Sequence, residues 1–170
     1  MTWQHPDRIF WQDREYHILE SWGEGHLKPR DYNVYGIDTS YRRGWILTYK
    51  IQQEQLYLIE INTAVRFPDV EAISLPKIIP FLGEVWLARN IIMYPSPGVI
   101  GYQYLYHFAF WDGVVQSCQD LSPRNDEMRR LYLATQNPRY PIWLYEEIYQ
   151  QPGWYWGDFS GEGILGSNIN

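Results

Sequence analysis

The sequence predicts a mainly β domain of the α+β kind: an antiparallel sheet or a partly closed barrel or sandwich, with one or two helices in its last third. Two-residue periodicity between residues 43 and 111 predicts the sheet, short polar turns between apolar runs predict hairpins, and proline-led segments of helical spacing after residue 122 predict the helices. The whole of 1–170 reads as a single domain, strand-rich over 14–118 and helical or irregular over 122–170, with no composition break, linker or repeat inside it.

The elements follow in order. Tyr16–Trp22 is a first strand, ended by Gly23-Glu-Gly25. From Arg43 to Ile51 the chain alternates, with Arg43, Trp45, Leu47, Tyr49 and Ile51 on one face and Gly44, Ile46, Thr48 and Lys50 on the other. The polar run Gln52–Gln55 is hairpin-length, and Leu56–Ile61 returns as the partner strand. Gly83–Met93 is strand-like, and Tyr94-Pro-Ser-Pro-Gly98 carries strong turn chemistry. Gly101–Trp111 alternates again: Tyr104, Tyr106, Phe108 and Phe110 share one face, and Leu105, His107, Ala109 and Trp111 the other. Asp112-Gly113 turns the chain into a further strand, Val114–Cys118. Ser122 then reads as an N-cap with Pro123 at the first helical position, acids in the first turn, and Met128, Leu131 and Tyr132 as an apolar stripe. Pro141 opens a second helix, and the tail from Pro152 is glycine-punctuated and aromatic.

Composition narrows function by exclusion. Fourteen basic residues face 20 acidic ones, a formal net charge of −6. Nucleic-acid binders draw most of their affinity from neutralising phosphate, so DNA or RNA is not the expected ligand. The single cysteine, Cys118, allows neither an internal disulfide nor a cysteine metal cage. Lack of a disulfide suits a reducing compartment. The opening Met1–Arg8 lacks the basic start and apolar run of a signal peptide, and no apolar stretch approaches the roughly 20 residues of a membrane span. The expected location is the cytoplasm, with no membrane partner. The surplus is aromatic: 9 Trp, 15 Tyr and 6 Phe, either packed in a thick core or held out for a partner.

The first hairpin carries a resemblance. Tyr41-Arg-Arg-Gly-Trp-Ile-Leu-Thr-Tyr-Lys-Ile51 followed by Leu56-Tyr-Leu58 resembles a family of uncharacterised bacterial β-rich proteins that read W-R-G-Y-x-A-x-W-E-I, a polar turn, then L-Y-L. Gly83-Glu-Val-Trp-Leu-Ala-Arg89 looks like that family's F-x-G-x-L-R-I segment. Arg43 and Gly44 match the R-G step, whereas Lys50 stands where the family has Glu. The resemblance spans 35–116 and implies a small β-rich bacterial protein. It supplies no reaction and no site to carry over.

Each candidate site has an ordinary alternative. His5, His17, His26 and His107 show no ligand spacing, so no metal is expected, and no loop motif for a nucleotide cofactor occurs. His107 reads as a pocket base or, more ordinarily, as a half-buried histidine bonded to a neighbour. Arg43 beside Trp45 and Tyr49 reads as an anion clamp or as an arginine stacked on a ring or paired with Glu60 across the hairpin. Trp154, Trp156 and Asp158 in the glycine-rich tail combine rings with an acid as sugar sites do, and equally as a tail docking on a core does. The expected function is therefore a non-enzymatic binding protein with a protein partner, possible analogies being bacterial immunity or antitoxin proteins. The alternatives are a small-molecule binder with an aromatic-lined cavity, and a hydrolase-like enzyme using scattered carboxylates, Glu60 or Asp158, with His107. Oligomeric state is not legible.

Overall fold

A computed structural model describes residues 5–36, 43–93, 100–135 and 147. The turn at 94–98, the second helix from Pro141 and the tail with Trp154, Trp156 and Asp158 lie outside the described residues. Eight strands form one mixed sheet: β1 Arg8–Trp11, β2 Arg14–Glu24, β3 Trp45–Gln52, β4 Gln55–Thr63, β5 Lys77–Ile78, β6 Leu82–Met93, β7 Ile100–Trp111 and β8 Val114–Asp120. A one-turn helix α1 (Pro68–Glu71) follows β4, and α2 (Ser122–Thr135) follows β8 and packs on β7.

Strand order makes this sheet a ring. It runs β3-β1-β2-β6-β7-β8-β4-β5, and β3 also pairs with β4. One corner is thin: β8 meets β4 through the single pair Gln55–Val114, while β5 takes Tyr57 and Leu58 farther along the same β4 edge. The ring is therefore partly closed, not a continuous barrel. Gly113 makes the thin corner possible. Its φ of +75° suits glycine, and a Cβ there would stand 2.1 Å from the Ile79 carbonyl oxygen. The corner is sealed by backbone bonds from Leu56 N–H to Gly113 O and from Val115 N–H to Glu54 O, both 2.8 Å.

The alternation read from sequence sets the faces. Inward residues of β3 (Trp45, Leu47, Tyr49, Ile51), of β6 (Val85, Leu87) and of β7 (Phe108, Phe110) form one buried cluster with Ile9, Tyr16, Leu56 and Leu58. A ring of this size closes on its own side chains, as small barrels do, so its middle is packed. Trp11 of β1 reaches across to β7, its ring 5.0 Å from both Tyr106 and Phe108.

Three features depart from the expectation. The segment before Tyr16 forms β1, which pairs with β3 in parallel, Ile9 against Tyr49, so the ribbons are not all antiparallel. At the start of α2 the Ser122 hydroxyl does not cap the helix. It accepts from Leu105 N–H at 3.0 Å, while Asp120 Oδ1 accepts from Ser122 N–H at 2.8 Å. The helical acids sit beyond the first turn, where Asp126 pairs with Arg129 and Arg130. The helix is instead pinned by Asn125, fully buried, whose side-chain amide donates to the Tyr102 carbonyl.

Candidate functional site

Arg43, Trp45 and Tyr49 belong to the structural side of the molecule. Arg43 donates from Nη1 and Nη2 to the two oxygens of Asp7, at 2.9 and 3.2 Å, and Asp7 Oδ1 also accepts from Leu47 N–H at 2.8 Å. The guanidinium fork is thus filled by the chain's own carboxylate, and the Arg43–Glu60 pairing expected from the hairpin is not formed. Glu60 instead accepts from the Thr48 hydroxyl and lies 3.7 Å from Arg8. The reason is β1: its parallel pairing to β3 brings Asp7 to the hairpin base, which the hairpin alone does not reveal. Trp45 and Tyr49 are buried. Burial foremost, with the Asp7 charge second, pushes the Tyr49 hydroxyl far above its usual range.

His107 stands elsewhere, on the outer face of the ring. Registers place Glu20, Trp86, His107 and Gln119 in one row across β2, β6, β7 and β8, and Trp22, Glu84, Ala109 and Ser117 in the next. Glu24 pairs with Leu82, and Trp111 pairs with Val114, at the turn end of the same face. The imidazole stacks on Trp86, centroids 4.4 Å apart and planes 15° from parallel. Its Nε2 is 3.4 Å from Glu84 Oε2, close enough for an ion pair once protonated, but the geometry makes no hydrogen bond. The indole N–H groups of Trp22 and Trp86 are buried and have no hydrogen-bond partner among the described residues.

Glu84 belongs to the scattered carboxylates of the sequence, but nothing there ties it to His107. It is one of many acids along the chain, and only the β6–β7 register, with Trp86 opposite His107, sets it diagonal to the imidazole. The acid named for the enzymatic reading, Glu60, is on β4 and engaged as above, and no bond joins it to His107 among the described residues. Nearby, Trp111 is 64% exposed, Leu82 42% and Val114 37%. The Gly83–Phe110 pair puts Leu82 beside Trp111, so the three form one apolar patch at the turn end. Glu24, Glu84 and Asp112 surround it, and no lysine or arginine stands in these rows.

Two open pockets lie apart from this face. A shallow groove of about 670 Å³ runs beside α1 and β5, where Asp69 already accepts from Asn33. A second, of about 400 Å³, opens at the turn end of the ring. Among the described residues no cluster of three or more His, Cys, Asp or Glu side chains has metal-holding geometry, and no helix is long and apolar enough to cross a membrane. Compared with protein-family models, curated proteins and solved structures, the chain matches none.

Proposed function

We propose that this chain is a non-enzymatic binding protein that docks a basic protein partner on the outer, turn-end face of β6, β7 and β8. The single observation that carries the reading is Trp111. A tryptophan nearly two-thirds exposed, flanked by exposed Leu82 and Val114, leaves a large apolar area in water that the fold does not use. Tryptophan is among the commonest anchors of protein interfaces, because a rigid ring buries much area at little entropic cost.

The rim gives the partner its chemistry. Glu24, Glu84 and Asp112 border the patch, and the whole chain carries a net charge of −6. A basic surface is drawn to that field and repelled by nothing in these rows. Binding of this kind matches the immunity or antitoxin analogy in character, an acidic protein neutralising a basic one.

The test is capture from a lysate of the native host on immobilised wild type and on Trp111→Ser, at low and at high salt. The reading expects one stoichiometric basic partner on wild type at low salt, weakened by salt, and about 30-fold weaker on the variant, the loss of a typical hot-spot residue of ~2 kcal/mol. Equal capture by Trp111→Ser, or no partner at either salt, overturns it.

A further inference from the structure

We infer that the pocket at the turn end of the ring is a binding site for a small planar aromatic molecule carrying a positive charge or a neutral donor. It lies on the inner side of the sheet, so it is independent of the docking face around Trp111. Its walls are apolar and come from two neighbouring pairs of strands that face each other across the ring: Trp11 from β1 and Ile51 from β3, Phe108 from β7 and Val115 from β8. Because β8 meets β4 through one residue pair only, the sheet leaves this end of the ring uncovered. The volume of about 400 Å³ falls within the range of small-molecule sites.

The rim is polar, and its backbone is costly. Gln12, Gln53 and Glu54 border the pocket. They belong to two hairpin turns, Gln12–Asp13 and Gln53–Glu54, whose four residues all have positive φ, 51° and 58° in the first and 50° and 63° in the second. Such turns ordinarily use Asn-Gly, since a side chain in the left-handed region carries a steric penalty. Here the chain accepts that penalty at both turns and gains two primary amides and a carboxylate around an apolar opening. Non-glycine residues held in this region concentrate where a site must be shaped.

Ligand class follows from this lining. The half-buried Trp11 ring, backed by the buried Phe108 ring 5.0 Å away, offers the surface for an aromatic body. The amides accept or donate hydrogen bonds, and the only charge in the lining is the Glu54 carboxylate. An amine-bearing ring is therefore favoured, a neutral hydroxyl tolerated and a carboxylate disfavoured.

Cys118, which also lines the pocket and is the only cysteine in the chain, provides the readout. Its alkylation by iodoacetamide in mildly alkaline buffer, followed by mass, is measured with tryptamine, tryptophol and indole-3-acetate at millimolar concentration, alongside the melting temperature. Tryptamine is expected to slow alkylation and raise the melting temperature most, and indole-3-acetate least, with about fivefold between amine and alcohol at low salt, the scale of one exposed ion pair. Glu54→Gln removes the gap between tryptamine and tryptophol. Val115→Phe, which fills the opening, abolishes protection by both. No effect of any of the three compounds on either readout overturns the inference, as does protection by the acid equal to that by the amine in wild type.

Discussion

Toward the β7–β8 turn, neighbouring residues of β6 and β7 sit in opposite physical conditions, whereas farther along the outer face is buried too, at Trp86, Ala88 and Leu105. Facing in, Val85, Leu87, Phe108 and Phe110 are at most 5% exposed and belong to one hydrophobic cluster. Facing out, Glu84, His107 and Trp111 are half-buried or exposed, and two outer-face indoles, Trp22 and Trp86, find no N–H acceptor among the described residues. A packed apolar surface contributes to stability in proportion to the area it removes from water. A surface with an exposed ring and unmatched polar atoms does little for the fold and much for a contact. Toward the turn, the same two-residue alternation therefore divides labour, with stability on the inner face and recognition on the outer one.

Truncating the inner face has the largest expected effect. Leu87→Ala, at a side chain with no exposure, costs about 3 kcal/mol by lost transfer energy and the cavity left behind, measured by urea unfolding. A cost near zero would break the division. Next comes the clamp that fastens β1 to the hairpin. Asp7→Ala leaves Arg43 and Leu47 N–H without their acceptor and costs ~1–2 kcal/mol, reduced because the Arg43 side chain is 38% exposed and solvent-screened. A double-mutant cycle with Arg43→Ala then shows a coupling of similar size. On the outer face Trp111→Ser changes stability by less than ~0.5 kcal/mol, because no native packing is lost there.

Acid sharpens the picture by a smaller step. His17 and His26 both titrate below the usual histidine range, in each case chiefly because burial disfavours the charged ring; Glu15 and Asp7 oppose the shift, and Arg8 and Lys28 reinforce it. A lowered folded pKa means the unfolded chain binds protons first as pH falls. Stability is therefore full above the unfolded value near 6.5 and declines as pH drops through that value toward the folded ones. Urea midpoints taken across pH 7.5 to 5 should fall, and the His17→Gln, His26→Gln double variant should flatten that limb.

Much of this was legible in the sequence. The period of two put Tyr104, Tyr106, Phe108 and Phe110 on one face and Leu105, His107, Ala109 and Trp111 on the other, without saying which faces inward, and the Gln52–Gln55 hairpin emerged with the expected partners. Long-range registers were not legible. The parallel β1–β3 pair depends on tertiary placement and has no local signal, so Asp7 remained invisible as the partner of Arg43. Glu84 reached His107 for the same reason: a six-residue connection joins β6 to β7, and its length alone does not fix which residues face each other. The pocket depends on the thin corner between β8 and β4, a property of ring closure that no single segment encodes.

Selective oxidation of tryptophan by N-bromosuccinimide, read site by site by mass spectrometry on the native protein, tests the division of faces most directly. Trp111, on the open outer patch, should be modified first, while the inward Trp45, 2% exposed, stays intact until the chain unfolds. Modification of Trp45 as fast as Trp111 in the folded protein would contradict the account.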